Sequence, residues 1–187
     1  MVRFKAFGQW INVSFPIPVF AVQKSLLKPK KISTSNHIPH KVCVAGIGNS
    51  LRSDDGLGAA VCRNIEELQI RGVTCFCYHQ LQIELVEDFK DFDIVIIVDA
   101  SLGEAQVRFY SLQEKEEAGT CSSHGVDALF LYRLSQQLYP GKQQYFVCEV
   151  KGHEFEMGTS LSAEGKANAA IAIQSIRDFL YSSAINF

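Results

Sequence analysis

The sequence predicts an α/β protein, with one three-layer domain in which a mostly parallel, twisted sheet is covered by helices on both faces. Apolar runs of strand length alternate along the chain with segments of helical periodicity. Several of the strand candidates are almost entirely apolar, as is typical of strands buried on both faces. The chain has 187 residues, 47% of them hydrophobic, which is enough for one ordinary globular domain with a core.

The first half of this domain is predicted to alternate strand, helix, strand, helix. The first strand is a short apolar run that ends at a glycine, and the first helix carries Leu57, Val61, Ile65 and Leu68 at helical spacing. The predicted ranges are a strand over 41–47, a helix over 56–68, a strand over 73–78 and a short amphipathic helix over 83–89.

The second half continues the alternation. DIVIIVDA (93–100) is the strongest strand candidate, because it holds five consecutive apolar residues that are all β-branched. Pro140-Gly141 ends a helix, and Ala169, Ile173, Ile176 and Leu180 form one apolar stripe on the last helix. The remaining predicted ranges are strands over 107–112 and 144–150 and helices over 126–139 and 163–181.

Residues 1–40 differ in character from residues 41–187, which we assign to the folded domain. They contain no acidic residue, and Pro16 and Pro18 interrupt any helix in their apolar part. We expect an N-terminal extension. Its composition fits a targeting peptide, an unstructured extension or translation from an upstream start.

Composition narrows the function classes. The net charge of -2 argues against a general nucleic-acid binder, and no uninterrupted run of about 18 apolar residues predicts a membrane span. The six cysteines form no CxxC pair and mostly lie in apolar runs. We therefore expect free thiols and a cytoplasmic protein.

The stretch GIGNSLRSDDGLG (46–58) looks at first like a dinucleotide-binding turn between a strand and a helix. However, Leu51 stands where such a turn needs its third glycine, and the lysine of a P-loop is absent. A helix N-terminus attracts anions, yet here the chain supplies Asp54 and Asp55. Asp54 or Ser53 can cap the helix. The pair of carboxylates beside the turn favours a cation site.

Two further residues extend this candidate site. Asp99 ends the strongest strand, and ligands of open α/β sheets bind outside the carboxyl ends of the strands. His124 follows a long loop and precedes a helix. Each alone can be explained as a cap or a surface residue. Together with Asp55, they offer two carboxylates and one imidazole, which suit a divalent ion such as zinc or nickel and leave coordination positions open.

Four motifs in order resemble the hydrogenase maturation endopeptidases: GIGNSLRSDDGLG, IIVDA, SSHGVDALFLYRL and GHEFEMGTSLS. The resemblance runs from about residue 41 to residue 180. It implies that Asp55, Asp99 and His124 contact the metal, and that Asp55 stands where some members carry glutamate. It also makes Gly48 and Asn49 candidates for substrate binding.

This chain departs from some members after the second strand. They carry an Asp-Gly-Gly-Thr stretch, whereas this chain has YHQLQ (78–82), which is similar to the branch that serves cofactor-linked hydrogenases. His79 and Gln80 are therefore further substrate-binding candidates, and His79 also fits an ordinary loop histidine. Glu156, with His153 and Glu154, either contacts substrate or belongs to a charged hairpin.

The resemblance implies an endopeptidase that removes the C-terminal extension of a nickel-iron hydrogenase large-subunit precursor after nickel insertion. The metal is then nickel supplied by the substrate, for which zinc or cadmium can substitute. HExxH and GxSxG motifs are absent, so the sequence leaves open how the attacking water is activated. We expect polarisation of the carbonyl or the water by the metal, assisted by Asp55 or Asp99. The alternatives are a non-catalytic chaperone of the nickel-loaded precursor and a nucleotide-binding oxidoreductase.

Overall fold

A five-stranded sheet lies between two layers of helices in the computed structural model of this chain. The structure describes residues 2–6, 9–13, 37–112, 127–141 and 143–183. The chain divides into two units, Met1–Thr34 and Ser35–Phe187, and the second unit contains the sheet and all the helices that are described.

The second unit contains five strands and four α-helices among its described residues. In chain order they are β3 (His37–Ile47), α1 (Leu57–Glu67), β4 (Arg71–Tyr78), α2 (Leu85–Phe89), β5 (Ile94–Ser101), β6 (Val107–Ser111), α3 (Ala128–Leu138), β7 (Gln144–Lys151) and α4 (Ala163–Ser183). In the first unit, β1 (Val2–Ala6) and β2 (Gln9–Val13) form an antiparallel pair. Our assignment of residues 1–40 to an extension remains a prediction.

The predicted elements and the predicted fold class are confirmed. Every strand and helix expected from residue 41 onward is present, with ends that agree to within two residues, except that β3 begins earlier, at His37. The strand order is β4-β3-β5-β7-β6, and only β6 runs antiparallel to its neighbour. The parallel strands therefore share one carboxyl edge, where β3 ends at Ile47 and β5 at Ser101.

The sheet is buried on both faces because the side chains of its central strands alternate between two cores. Val42 and Val44 of β3 face α1 and α4, whereas Cys43 and Ala45 face α2 and α3. The same alternation runs through β5, so its whole apolar stretch is inaccessible to solvent. Among the described residues, no helix combines the length and the apolar character that crossing a membrane requires.

Two glycines let α1 pack unusually close to the sheet. A Cβ atom at Gly58 would lie 2.2 Å from the carbonyl oxygen of Ile47 and 2.4 Å from that of Val98. A Cβ atom at Gly46 would lie 2.3 Å from the carbonyl oxygen of Gly58. In a dinucleotide-binding turn, the third glycine allows helix and strand to pack closely. Here Leu51 occupies that position, and Gly58 allows the close packing instead.

We expect Gly58→Ala to destabilise the fold by about 2–4 kcal/mol, because the added methyl group meets backbone atoms that cannot move independently. Without that clash, alanine within a helix would stabilise the protein by about 1 kcal/mol. Chemical denaturation of the variant measures the difference. Gly103→Ala is the control, since its Cβ would approach only the Ser101 Oγ atom, at 3.1 Å. Unchanged stability of Gly58→Ala would contradict the close packing.

Candidate active site

The turn after β3 holds Asp55 by its backbone and by its side chain. Gly48 adopts a φ of +126°, and a Cβ atom there would lie 1.8 Å from the carbonyl oxygen of Asp55, so the position admits only glycine. The backbone N–H of Asn49 donates to the Asp55 Oδ2 atom at 2.9 Å. The Asn49 side chain in turn accepts from the N–H of Leu51 at 2.9 Å. Gly48 and Asn49, both substrate-binding candidates, thus shape the turn and orient Asp55.

Asp99 lies near the carboxyl end of β5 in an environment that disfavours its charge. Burial raises its pKa to about 6, the N–H of Ala100 partly offsets this by donating to Oδ1 at 2.8 Å, and the negative charges of Asp55 and Glu149 raise it further. An aspartate with this pKa can take up or release a proton close to neutral pH.

The structure brings Asp55 and Asp99 to the same edge of the sheet. β3 and β5 are adjacent and in register, with Gly46 beside Val98, and the backbone around Gly58 touches both Ile47 and Val98. The electrostatic effect of Asp55 on Asp99 reflects the same proximity. The prediction that two separate motifs converge at the carboxyl edge is therefore consistent with the fold. His124 lies outside the described residues.

Each of the two aspartates commits one oxygen to a backbone N–H and has one further oxygen to offer. Such a pair fits part of the coordination shell of a divalent ion. Across the part of the chain that is described, no group of three or more histidine, cysteine, aspartate or glutamate residues has an arrangement that could hold a metal ion. Two carboxylates fill only part of such a coordination shell, so further ligands would have to complete it.

Asp54 has a different role from its neighbour. Its side chain is completely buried and accepts hydrogen bonds from the backbone N–H groups of His153 at 2.8 Å, Glu154 at 3.1 Å and Ser162 at 2.8 Å. The Ser162 hydroxyl donates a fourth, at 2.7 Å. The expectation that Asp54 or Ser53 caps the adjacent helix is wrong, because α1 has no side-chain cap at its N-terminus. Asp54 instead fixes the loop before α4.

This contact also explains two glycines, Gly152 at the start of the C-terminal motif and Gly165 in the first turn of α4. A Cβ atom at Gly165 would lie 2.5 Å from the Asp54 Oδ1 atom, and one at Gly152 would lie 2.9 Å from the Asp54 Cβ atom. The loop between them is not the hairpin that we considered for Glu156. It runs parallel to the turn after β3, with a bridge between Arg52 and Gly158.

The remaining candidates lie at the same end of the molecule, and their roles stay predictions. His79 and Gln80 are exposed and directly follow β4, whose last carbonyl, that of Tyr78, accepts from the N–H of Gly48 at 3.0 Å. Glu156 is also exposed, and its carbonyl oxygen accepts from the Ser53 hydroxyl at 3.2 Å. Both segments therefore border the turn that carries Asp55.

A carboxylate that the sequence analysis did not select, Glu149, lies beside Asp99. The two residues are register partners on β7 and β5. Arg108 donates to the Glu149 Oε2 atom at 3.0 Å, and the Tyr110 hydroxyl donates to Oε1 at 2.9 Å. The sequence signal that could have pointed to this cluster is the alternation of polar positions in β6, since it puts Arg108 and Tyr110 on one face.

The turn has few backbone N–H groups left for a phosphate. Those of Gly48 and residues 51–55 already donate to backbone or side-chain oxygens, and that of Asn49 donates to Asp55. A dinucleotide-binding turn leaves such groups pointing at the pyrophosphate. The geometry therefore disfavours a nucleotide at this position.

Solved structures share this fold. A [NiFe] hydrogenase maturation protease HybD from Thermococcus kodakarensis aligns with a TM-score of 0.60 and 23% identity, over 75% of this chain and 99% of its own. HycI from Thermococcus kodakarensis KOD1 gives a TM-score of 0.62 and 20% identity over 76% and 94%. HybD from E. coli, a hydrogenase maturating endopeptidase, gives 0.60 and 16% over 76% and 93%. No family model and no curated protein matches the sequence.

These similarities confirm the fold class and support the resemblance that the four sequence motifs indicate. The aligned share of this chain, 75–76%, is close to the share that the resemblance predicts, from about residue 41 to residue 180. At these identities the similarity establishes the fold, and what the chain does has to be argued from its site.

Asp54→Asn is expected to lower the free energy of unfolding by about 3 kcal/mol or more. The amide keeps the shape of the side chain, but its NH₂ group faces N–H donors, and buried hydrogen bonds to a charged group contribute about 1.5–3 kcal/mol each. Chemical denaturation measures the loss. Asp178→Asn, at an exposed position, is the matched control and should change little. Equal stability of the two variants would refute the structural role of Asp54.

Asp99→Asn is expected to stabilise the fold near pH 7. The folded-state pKa is about 6, above the usual value of 3.8, so ionising Asp99 costs free energy in the folded protein. The cost is absent below the unfolded pKa, develops as the pH rises from about 4 to 6, and is complete above it. Thermal unfolding should therefore show a higher Tm for the variant at pH 7 and no gain at pH 3.5. An increase in Tm of equal size at pH 7 and at pH 3.5 would indicate a cause other than the ionisation of Asp99.

Proposed function

We propose that this chain is an endopeptidase of hydrogenase maturation, which removes the C-terminal extension of a nickel-iron hydrogenase large-subunit precursor once nickel has been inserted. The fold shared with the solved maturation proteases supports this proposal, as do the four motifs in their order along the chain. The single observation that carries it is the convergence of Asp55 and Asp99 at the carboxyl edge of the sheet.

In this proposal the nickel belongs to the substrate. Asp55 and Asp99 offer one oxygen each, and His124 would add an imidazole nitrogen, so the enzyme completes the coordination of a metal that the precursor already holds. Zinc or cadmium would substitute at the same residues in the absence of the precursor. Cleavage would then depend on the binding of the substrate's metal by these three residues.

The chemistry is the hydrolysis of one peptide bond. A water molecule attacks the carbonyl carbon, the C–N bond breaks, and the leaving amine takes up a proton. Asp99, with its pKa near 6, is suited to accept the proton from water, while Asp55 is held in place by Asn49. A metal at this position supplies polarisation of the carbonyl or of the water.

The proposal includes a cytoplasmic location. The described cysteines are all free thiols, and burial raises the pKa of Cys148 to about 12 and is the main cause that raises the pKa of Cys43 well above its usual value. Unpaired thiols of this kind suit a reducing compartment. The nucleotide-binding alternative is disfavoured, because the backbone N–H groups of the turn are already engaged.

The test offers the purified protein two forms of the precursor, one loaded with nickel and one free of nickel. We expect cleavage of the loaded form only, measured as a mass loss equal to the C-terminal extension. His124→Ala and Asp99→Asn should lose at least 100-fold in rate, the order of magnitude of one removed catalytic group. Asp93→Asn is the matched control, since Asp93 lies just before β5, at the opposite edge of the sheet, where its carboxylate accepts a hydrogen bond from the N–H of Lys41.

Three outcomes separate the proposals. Equal cleavage of both precursors would refute the requirement for nickel and leave an ordinary endopeptidase. Tight binding of the loaded precursor without cleavage would favour the non-catalytic chaperone. Binding of NAD by the protein alone, observed by titration, would revive the oxidoreductase.

A further inference from the structure

Two exposed apolar side chains lie side by side next to the candidate active site. Leu51, in the turn that carries Asp55, is 56% exposed, and Met157, in the loop before α4, is 79% exposed. A parallel bridge pairs Arg52 with Gly158, so the residues one position earlier, Leu51 and Met157, are neighbours across the bridge. Together they form one apolar surface, which we call the rim surface.

Hydrogen bonds between the two segments hold the rim surface in place. The N–H of Gly158 donates to the carbonyl oxygen of Leu51 at 2.9 Å, and the N–H of Ser53 donates to the carbonyl oxygen of Gly158 at 2.8 Å. The Arg52 guanidinium donates to the carbonyl oxygen of Phe155 at 3.3 Å. A surface whose backbone is already fixed loses less conformational entropy when a partner binds, which favours recognition.

A third exposed apolar side chain lies at the same edge of the sheet. Leu102 directly follows β5 and is 83% exposed. Single apolar side chains are ordinary on a protein surface, but a group of them that borders a candidate active site indicates an interaction surface. Side chains that are this exposed protrude from the molecule. They therefore fit a depression in the surface of a folded partner better than they enclose one residue of a peptide.

We propose that Leu51 and Met157 are specificity-determining residues that bind an apolar depression on the folded body of the precursor, beside the site where its extension is removed. This inference rests on the proposed function, because it takes the precursor as the substrate. Leu51 lies four residues before Asp55 in the same turn, and the two are linked through Asn49. A protein whose cleavage segment reaches Asp55 therefore also covers the rim surface, which is continuous with the candidate active site.

The charges around the rim surface disfavour a second copy of this chain as its occupant. Glu154 and Glu156 are exposed in the same loop as Met157, and Asp55 is partly exposed in the turn of Leu51. A two-fold contact brings the same surface of both copies together, so these carboxylates would face carboxylates. Like charges that face each other destabilise a contact. A different protein is free of this constraint.

The experiment measures the binding of the nickel-loaded precursor to the full-length protein by biolayer interferometry, and the cleavage rate at increasing precursor concentration. We expect Leu51→Gln and Met157→Gln each to raise Kd and KM about tenfold or more, because the burial of an apolar side chain is lost. The kcat should stay within about twofold, since neither side chain contacts the reacting atoms. Circular dichroism checks that each variant is folded.

Leu138→Gln is the matched control. Leu138 is 55% exposed, almost the same fraction as Leu51, and it ends α3, which leads into the start of β7 and so to the opposite edge of the sheet. This variant should leave Kd, KM and kcat unchanged. Equal Kd values for Leu51→Gln, Met157→Gln and Leu138→Gln would overturn the proposal.

The mature large subunit, loaded with nickel and without its extension, separates the folded body of the precursor from the extension as the bound part. Leu51→Gln and Met157→Gln should weaken its binding by the same factor as they weaken binding of the precursor. A loss confined to the precursor would overturn the proposal, because the extension would then be the part that covers the rim surface. Sedimentation of a dimer that both variants dissociate would also overturn it, in favour of a second copy.

These measurements distinguish a failure of the rim surface from a failure of the proposed function. If the precursor binds with the expected differences between variants but is never cleaved, the proposed endopeptidase fails and the role of Leu51 and Met157 stands. If the wild type and both variants cleave the precursor with the same KM, the role of the rim surface fails and the proposed function stands. If the wild type neither binds nor cleaves the precursor, both fail.

Discussion

The buried carboxylate of Asp54 is the interaction on which the rest of the site depends. It is inaccessible to solvent and accepts four hydrogen bonds from His153, Glu154 and Ser162, about a hundred residues away in the chain. Burial by itself raises the pKa of Asp54, but these hydrogen bonds outweigh it and hold the pKa below its usual range. A buried charge is tolerated only where its oxygens are satisfied in this way. The turn after β3 and the loop before α4 must therefore form together.

This constraint gives two adjacent aspartates opposite roles. Asp54 turns inward and joins two segments, whereas Asp55 stays partly exposed at the sheet edge with one oxygen bound to the N–H of Asn49. A change at Asp54 therefore reaches Asp55 through the backbone that they share. The glycines at 152 and 165 belong to the same arrangement, since either side chain would collide with Asp54.

On the neighbouring strand β5, a residue of the candidate site destabilises the fold. Asp99 is placed where burial and two other carboxylates disfavour its charge, and the folded protein bears that cost at neutral pH. Glu149 adds to the cost, and its own carboxylate accepts hydrogen bonds from Arg108 and Tyr110. A strongly perturbed pKa caused by burial and by neighbouring charges at a sheet edge of this kind fits a functional role.

The secondary-structure elements and their layering could be predicted from local sequence patterns. The five β-branched residues of β5 and the helical spacing in α1 and α4 are local patterns, and alternation of strands and helices restricts the sheet to a mainly parallel one. The sequence also pointed to Asp55 and Asp99, because carboxylates after apolar strands have no packing role. Three facts became visible only in the folded chain: Asp54 rather than Asp55 is buried, Gly58 rather than position 51 packs on the sheet, and Glu149 lies beside Asp99. Those facts depend on register and on contacts between distant segments, and local periodicity carries no information about either.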